Sequence, residues 1–182
     1  MTTTTHTTTT RPRRPEQIED PAIRHYTLEG TLPAEHALAV HTEQGTLALV
    51  GPGARVLHMQ MYTPSELAVL VPLLTHAPAY APYEVLYAHF YTAHAVITQD
   101  RIDACREHLY EALAHGSFEA EMRPLRNVMS RVRLKLHAAG IDVLSLIETG
   151  YVLCPWTRTH YARQSPRQPG PRKADVGGGG RR

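Results

Sequence analysis

The first regular pattern in the chain is one of strands. His36-Ala-Leu-Ala-Val-His41 and Thr46-Leu-Ala-Leu-Val50 flank Glu43-Gln-Gly45, which reads as a hairpin turn. Gly51-Pro-Gly53 turns the chain again into Val56-Leu-His-Met-Gln-Met61. There Leu57, Met59 and Met61 alternate with His58 and Gln60, the period of a strand buried on one face. Together these segments predict a small antiparallel sheet.

The period then lengthens to that of helices. Thr63 is placed to cap a helix that has Pro64 at its first position and Glu66 beside the positive end of its dipole. Leu67, Leu70, Val71 and Leu74 mark its apolar face, Pro72 interrupts it, and His76-Ala-Pro78 ends it. A second helix is predicted from Pro82 to about Tyr91 with Val85, Leu86 and Phe90 inward. A third spans Thr98 to His115, with Ile102, Cys105, Leu109 and Leu113 inward and Gly116 closing it. A fourth is predicted from Pro124 to His137, with Ser117 to Met122 leading in. Its apolar side is Leu125, Val128, Met129, Val132 and Leu136; Asn127, Ser130 and Arg131 point the opposite way, and Gly140 ends it. Leu134 also lies on the outward side, as a thymine-methyl contact or as part of a protein interface. Two further strands, Ile141 to Ile147 and Tyr151 to Leu153, are joined through Glu148-Thr-Gly150. Sheet, helices, basic helix and hairpin make an α+β winged helix-turn-helix with one inserted helix.

Charge sharpens this picture. Residues 25–155 carry eight basic and thirteen acidic groups, and five of the eight lie within 123–135: Arg123, Arg126, Arg131, Arg133 and Lys135. One basic stripe on an acidic domain is the pattern of a phosphate-backbone footprint. Arg pairs with guanine and Asn with adenine in the major groove. Asn127, Ser130 and Arg131 are therefore expected nearest the bases, with Arg123, Arg126, Arg133 and Lys135 on the backbone and Arg126 suited to either role. Five to seven neutralised phosphates imply a slope of log affinity against log salt of about −4.5 to −6.

The flanks read differently. Residues 1–24, with their threonine run and Arg11-Pro-Arg-Arg-Pro15, and residues 156–182, rich in Arg, Pro and Gly, are expected to be disordered tails around a domain at 25–155. No secretory signal or membrane-length apolar run occurs, so a cytoplasmic location with no membrane partner is the expectation. Cys105 and Cys154 are too far apart in sequence for a Cys-x-x-Cys motif and read as free thiols. Among the twelve histidines no metal-ligand spacing appears; Glu107, His108, Glu111 and His115 read as an exposed helix face with i,i+4 contacts. No nucleophile motif or phosphate-binding glycine loop is present, so neither an enzyme nor a cofactor is expected.

At four places the chain resembles the winged-helix DNA-binding domain of the OmpR/PhoB response-regulator type. These are Thr63-Pro-Ser-Glu-Leu-Ala-Val-Leu70, Pro82-Tyr-Glu-Val-Leu86, Ser130-Arg-Val-Arg-Leu-Lys-Leu136 and Glu148-Thr-Gly-Tyr151, in the family's order across residues 36–155. The resemblance implies a transcription regulator that places the 124–137 helix in the major groove of double-stranded DNA, with the 141–153 hairpin as wing and Thr149 among its contacts. The chain departs from the family in three ways. Ile147-Glu148 stands where the family often has Arg-Gly, the 98–115 helix lengthens a connection that can serve in the family as a polymerase-contacting loop, and 24 leading residues are too few for a receiver domain. RNA polymerase or another protein is therefore an open partner, as is a homodimer through the sheet, for which no heptad pattern speaks. The alternative function is a winged-helix protein–protein interaction module without DNA binding, for which the inserted helix, Leu134, the anionic wing and Tyr80, Tyr83, Tyr87 and Tyr91 speak.

Overall fold

The computed structural model describes residues 22–92 and 96–157, and shows an α+β architecture. Four antiparallel strands, β1 (Ile23–Tyr26), β2 (Ala37–His41), β3 (Thr46–Gly51) and β4 (Arg55–Met61), form a sheet in sequence order. Four helices follow: α1 (Pro64–His76), α2 (Tyr83–Tyr91), α3 (Gln99–Ala114) and α4 (Phe118–Leu136). Two residues before α2, β5 (Ala81–Pro82), join the closing hairpin of β6 (Ile141–Leu146) and β7 (Gly150–Pro155) in a second sheet of order β5-β7-β6. Most of the two predicted tails lies outside the described residues. Their inner edges do not: β1 begins at Ile23, and the Trp156 N–H donates to the Gly140 carbonyl at 2.8 Å.

One core joins the layers. Leu38, Val40 and Leu47 from the sheet pack with Val69, Leu70, Leu73 and Leu86 from α1 and α2, and with Leu125, Val132 and Leu136 from α4. Cys105 is buried in this core, and Cys105 and Cys154 are both free. α1 starts where the sequence places it, with a capping box: the Glu66 N–H donates to Thr63 Oγ1 (3.4 Å) and the Thr63 N–H to Glu66 Oε2 (2.8 Å).

Several boundaries and faces differ from expectation. α4 starts at Phe118, so Pro124 lies inside the helix rather than at its first position. The Ser117 carbonyl already accepts from the Ala120 and Glu121 N–H groups, which starts the helix a turn before the proline. Met122, wholly buried, lengthens the apolar stripe and stabilises those extra turns. Pro82 belongs to β5 and α2 begins at Tyr83. Leu113, expected inward on α3, is half exposed, and Ala112 is buried instead.

The largest reversal is in β4, where the alternation holds with its faces exchanged. Leu47 and Leu49 of β3 point toward the core, and their cross-strand partners are Gln60 and His58. Partners share a face of the sheet. A bulge at Leu49/Val50 sets this register, and it leaves Leu57, Met59 and Met61 exposed, Met59 at 65%.

The hairpin is held to the helices by a close backbone approach. A Cβ built on Gly150 would lie 2.1 Å from the Ala81 carbonyl oxygen, so only glycine lets β7 pair with β5 there. Gly150→Ala is expected to lower stability by about 1–3 kcal/mol, through the overpacking of a rigid backbone contact. Urea denaturation of the two proteins checks this, and an unchanged midpoint would remove the close approach as a constraint.

Candidate nucleic-acid interface

α4 turns one face to the core and the opposite one to solvent. Arg123, Asn127, Ser130, Arg131 and Leu134 are exposed at helical spacing along the outer face. The side chains of Arg123 and Asn127 have no hydrogen-bond or ion-pair partner among the described residues. Ser130 Oγ donates back to the Arg126 carbonyl at 2.9 Å, which leaves its lone pairs to accept. The Arg131 side chain is 55% exposed, with Nε 3.6 Å from Glu66 Oε1, a contact longer than a hydrogen bond.

The other three cations of the stripe, expected on the phosphate backbone, are paired with the protein's own carboxylates instead: Lys135 and Arg133 with buried ones, Arg126 with an exposed one. Lys135 Nζ donates to Glu66 Oε2 (2.7 Å) and to the Met61 carbonyl (2.8 Å), and lies 5.0 Å over the Tyr62 ring. Glu66 itself is 2% exposed. Burial pushes its carboxyl up, but the bonds from Lys135 and Thr63 outweigh this and hold its pKa below the ordinary value. Arg133 makes a two-pronged pair with Asp142 of β6, Nε to Oδ1 at 2.6 Å and Nη2 to Oδ2 at 3.0 Å. His137 Nε2 lies 2.9 Å from Asp142 Oδ1, and the Val143 N–H donates to the same oxygen at 2.8 Å. Burial raises the Asp142 carboxyl, yet Arg133, His137 and the Val143 amide together bring it down to about 2. Arg126 is paired with Glu119 through both carboxylate oxygens, Nη2 to Oε1 at 3.0 Å.

Of the eight residues expected at the interface, Arg123, Asn127, Ser130 and Arg131 share the outer face. Arg126 lines the cleft between α4 and the hairpin, while Arg133 and Lys135 clamp the helix from either side. Thr149 is exposed near the hairpin tip beside Ile147 and Glu148, and its hydroxyl donates to the Ile147 carbonyl at 3.0 Å. The hairpin stands next to α4 because Tyr83, the first residue of α2, bonds to the end of β6 and to the turn that follows it. The Tyr83 N–H donates to the Thr149 carbonyl (3.1 Å) and its hydroxyl to the Leu146 carbonyl (3.3 Å).

Two residues that organise the interface were not singled out from sequence in these roles, Glu66 and Asp142. The Thr63-x-x-Glu66 spacing marks a capping box, which signals Glu66 as a cap but not as the partner of Lys135. Asp142, the one charge in an otherwise mostly apolar strand, could have been flagged as needing a cation. Glu107, His108, Glu111 and His115 are exposed on α3 as expected, and His108 also meets Tyr87 Oη at 3.3 Å and Glu121 Oε2 at 3.5 Å, linking α3 to α2 and α4.

Among the described residues, no group of three or more His, Cys, Asp or Glu side chains is placed to hold a metal ion. No helix there is long and apolar enough to cross a membrane. Compared with protein-family models, curated proteins and solved structures, the chain matches none.

The Asp142 site makes stability depend on acidity in a definite direction. Its folded pKa of about 2 lies below the ordinary 3.8, so its contribution is complete above the ordinary value and is lost as pH falls through about 2. That contribution is roughly 2 kcal/mol at neutral pH. Asp142→Asn should be less stable at pH 7 and should lack this part of the acid slope. Parallel stability curves for the two proteins from pH 6 to 2 would refute the pairing.

Proposed function

We propose that this chain is a winged-helix protein of the OmpR/PhoB response-regulator type that binds double-stranded DNA and acts as a transcription regulator. In this reading α4 enters the major groove and the β6–β7 hairpin is the wing. The observation that carries it is the outer face of α4, where Arg123, Asn127, Ser130 and Arg131 stand exposed on a helix anchored from behind by buried ion pairs. A recognition helix needs side chains that reach bases and a backbone that does not yield. Arg131 supports the reading further, because its long contact to Glu66 leaves the guanidinium able to swing outward at little cost. Arg133 and Lys135 act here as positioning residues, Arg123 meets the phosphate backbone and Arg131 lies nearest the bases.

A second reading, a winged-helix module for protein partners, draws on the 60% exposure of Leu134 on this face and the 87% exposure of Ile147 on the hairpin. Those apolar groups would bury well against a protein. Co-purification separates the two readings: a stoichiometric protein retained at high salt without nucleic acid favours the second.

Anisotropy titration of the full chain with genomic duplex fragments tests DNA binding. Arg131→Ala is expected to weaken a specific site by about 1–3 kcal/mol. Arg123→Ala should reduce the magnitude of the salt slope by about 1. Absence of duplex binding at low salt ends the proposal, and equal affinity for every fragment ends its claim to regulation of particular sites.

A further inference from the structure

Between the first half of α4 and the hairpin lies an open cleft of about 560 Å³. That is within the size range of small-molecule sites, roughly 300–1,000 Å³. Its lining is aromatic at one end: Tyr83 meets Phe118 edge-on at 5.8 Å and Tyr151 at 5.6 Å. Ile147 overhangs it from the hairpin, and Ser145 adds a hydroxyl. Arg126 enters from α4, its guanidinium 5.9 Å over the Phe118 ring.

The guanidinium already holds a carboxylate, that of Glu119, in two-pronged fashion. Glu119 is 73% exposed, so its side chain is tethered only by this pair. An exposed ion pair contributes little to stability and exchanges readily. The fork is thus presented toward the cleft in the geometry that carboxylates take, with an internal carboxylate that water can replace. Arg133, the other guanidinium lining the cleft, is bound to buried Asp142 and is not exchangeable in this sense. One exchangeable cation between the rim carboxylates Glu119 and Glu148 favours a monoanion and opposes di- and trianions.

We propose that this cleft binds small aromatic carboxylates. The ligand's carboxylate takes the place of Glu119 on Arg126, and its ring lies against Phe118 and Tyr83 beneath Ile147. This goes beyond DNA recognition, and the site does not require it. Because the cleft separates the proposed recognition helix from the proposed wing, an occupant would sit where it alters their spacing.

Calorimetric titration of the full chain with 2-naphthoate tests the site, with 2-naphthylmethanol as the uncharged counterpart and amide chemical shifts to locate binding. Saturable binding of the acid is expected, with shifts at Ser145, Ile147 and Tyr151, and affinity about tenfold weaker for the alcohol. Glu119→Gln should tighten naphthoate binding severalfold, and Arg126→Gln should weaken it by about tenfold or more. Both variants lose the same internal ion pair, so any structural loss is shared and only the guanidinium separates them. The proposal fails if neither the wild type nor Glu119→Gln binds up to the solubility of the acid. It fails equally if Arg126→Gln binds as tightly as the wild type. No DNA enters this measurement, so its outcome is independent of the duplex titration.

Discussion

A carboxylate taken out of water has to find cations and hydrogen-bond donors in the protein, or it destabilises the fold that buried it. Among the described residues two are buried, Glu66 at the start of α1 and Asp142 on β6, and both are satisfied chiefly by the same helix. Lys135 reaches back to α1 and the end of β4; Arg133 reaches across to the hairpin. With Leu125, Val132 and Leu136 filling the core between them, α4 cannot rotate without leaving a buried charge unpaired. The rest of the proposed interface follows from that restriction.

With two cations committed inward and a third held by Glu119, the outer face of α4 is less positive than a count of its arginines implies. It is also better defined. Four polar side chains, two of them arginines, stand on a rod whose orientation is set by ion pairs rather than by apolar contact alone. Helix α3 supports the start of α4 from the other side. There the Tyr87 hydroxyl donates to Glu121 at 3.1 Å and meets His108, so three helices share one polar junction. The hairpin owes its place to α2 through the Tyr83 bonds and the β5–β7 pairing. Helix, hairpin and the aromatic cleft between them therefore form a single unit resting on α1 and α2.

Much of this was legible in local sequence. The capping signal at Thr63, the 3-and-4 spacing of Leu125, Val128, Met129, Val132 and Leu136, the turn residues at Gly45 and Gly140, and the exposure of Asn127, Ser130 and Arg131 depend on neighbours within a turn or two. Such neighbours are present in the sequence itself. The start of α4 was misplaced because Pro124 carries a strong local preference for a first helical turn, which burial of Met122 in the core overrides. The inward face of β4 was misjudged for a related reason. Alternation shows that a strand has two faces, but which face is buried depends on the register with β3.

The sequence by itself determined the order of the elements, the apolar seam of each helix and the concentration of cations in one stretch, because periodicity and composition are properties of the chain. Only the tertiary structure decided which of those cations remain for a partner. Pairing of Lys135 with Glu66, 69 residues away, and of Arg133 with a strand beyond the helix end is a matter of distance in space. Electrostatic interaction at such contacts depends on separation and burial, which a linear pattern does not contain.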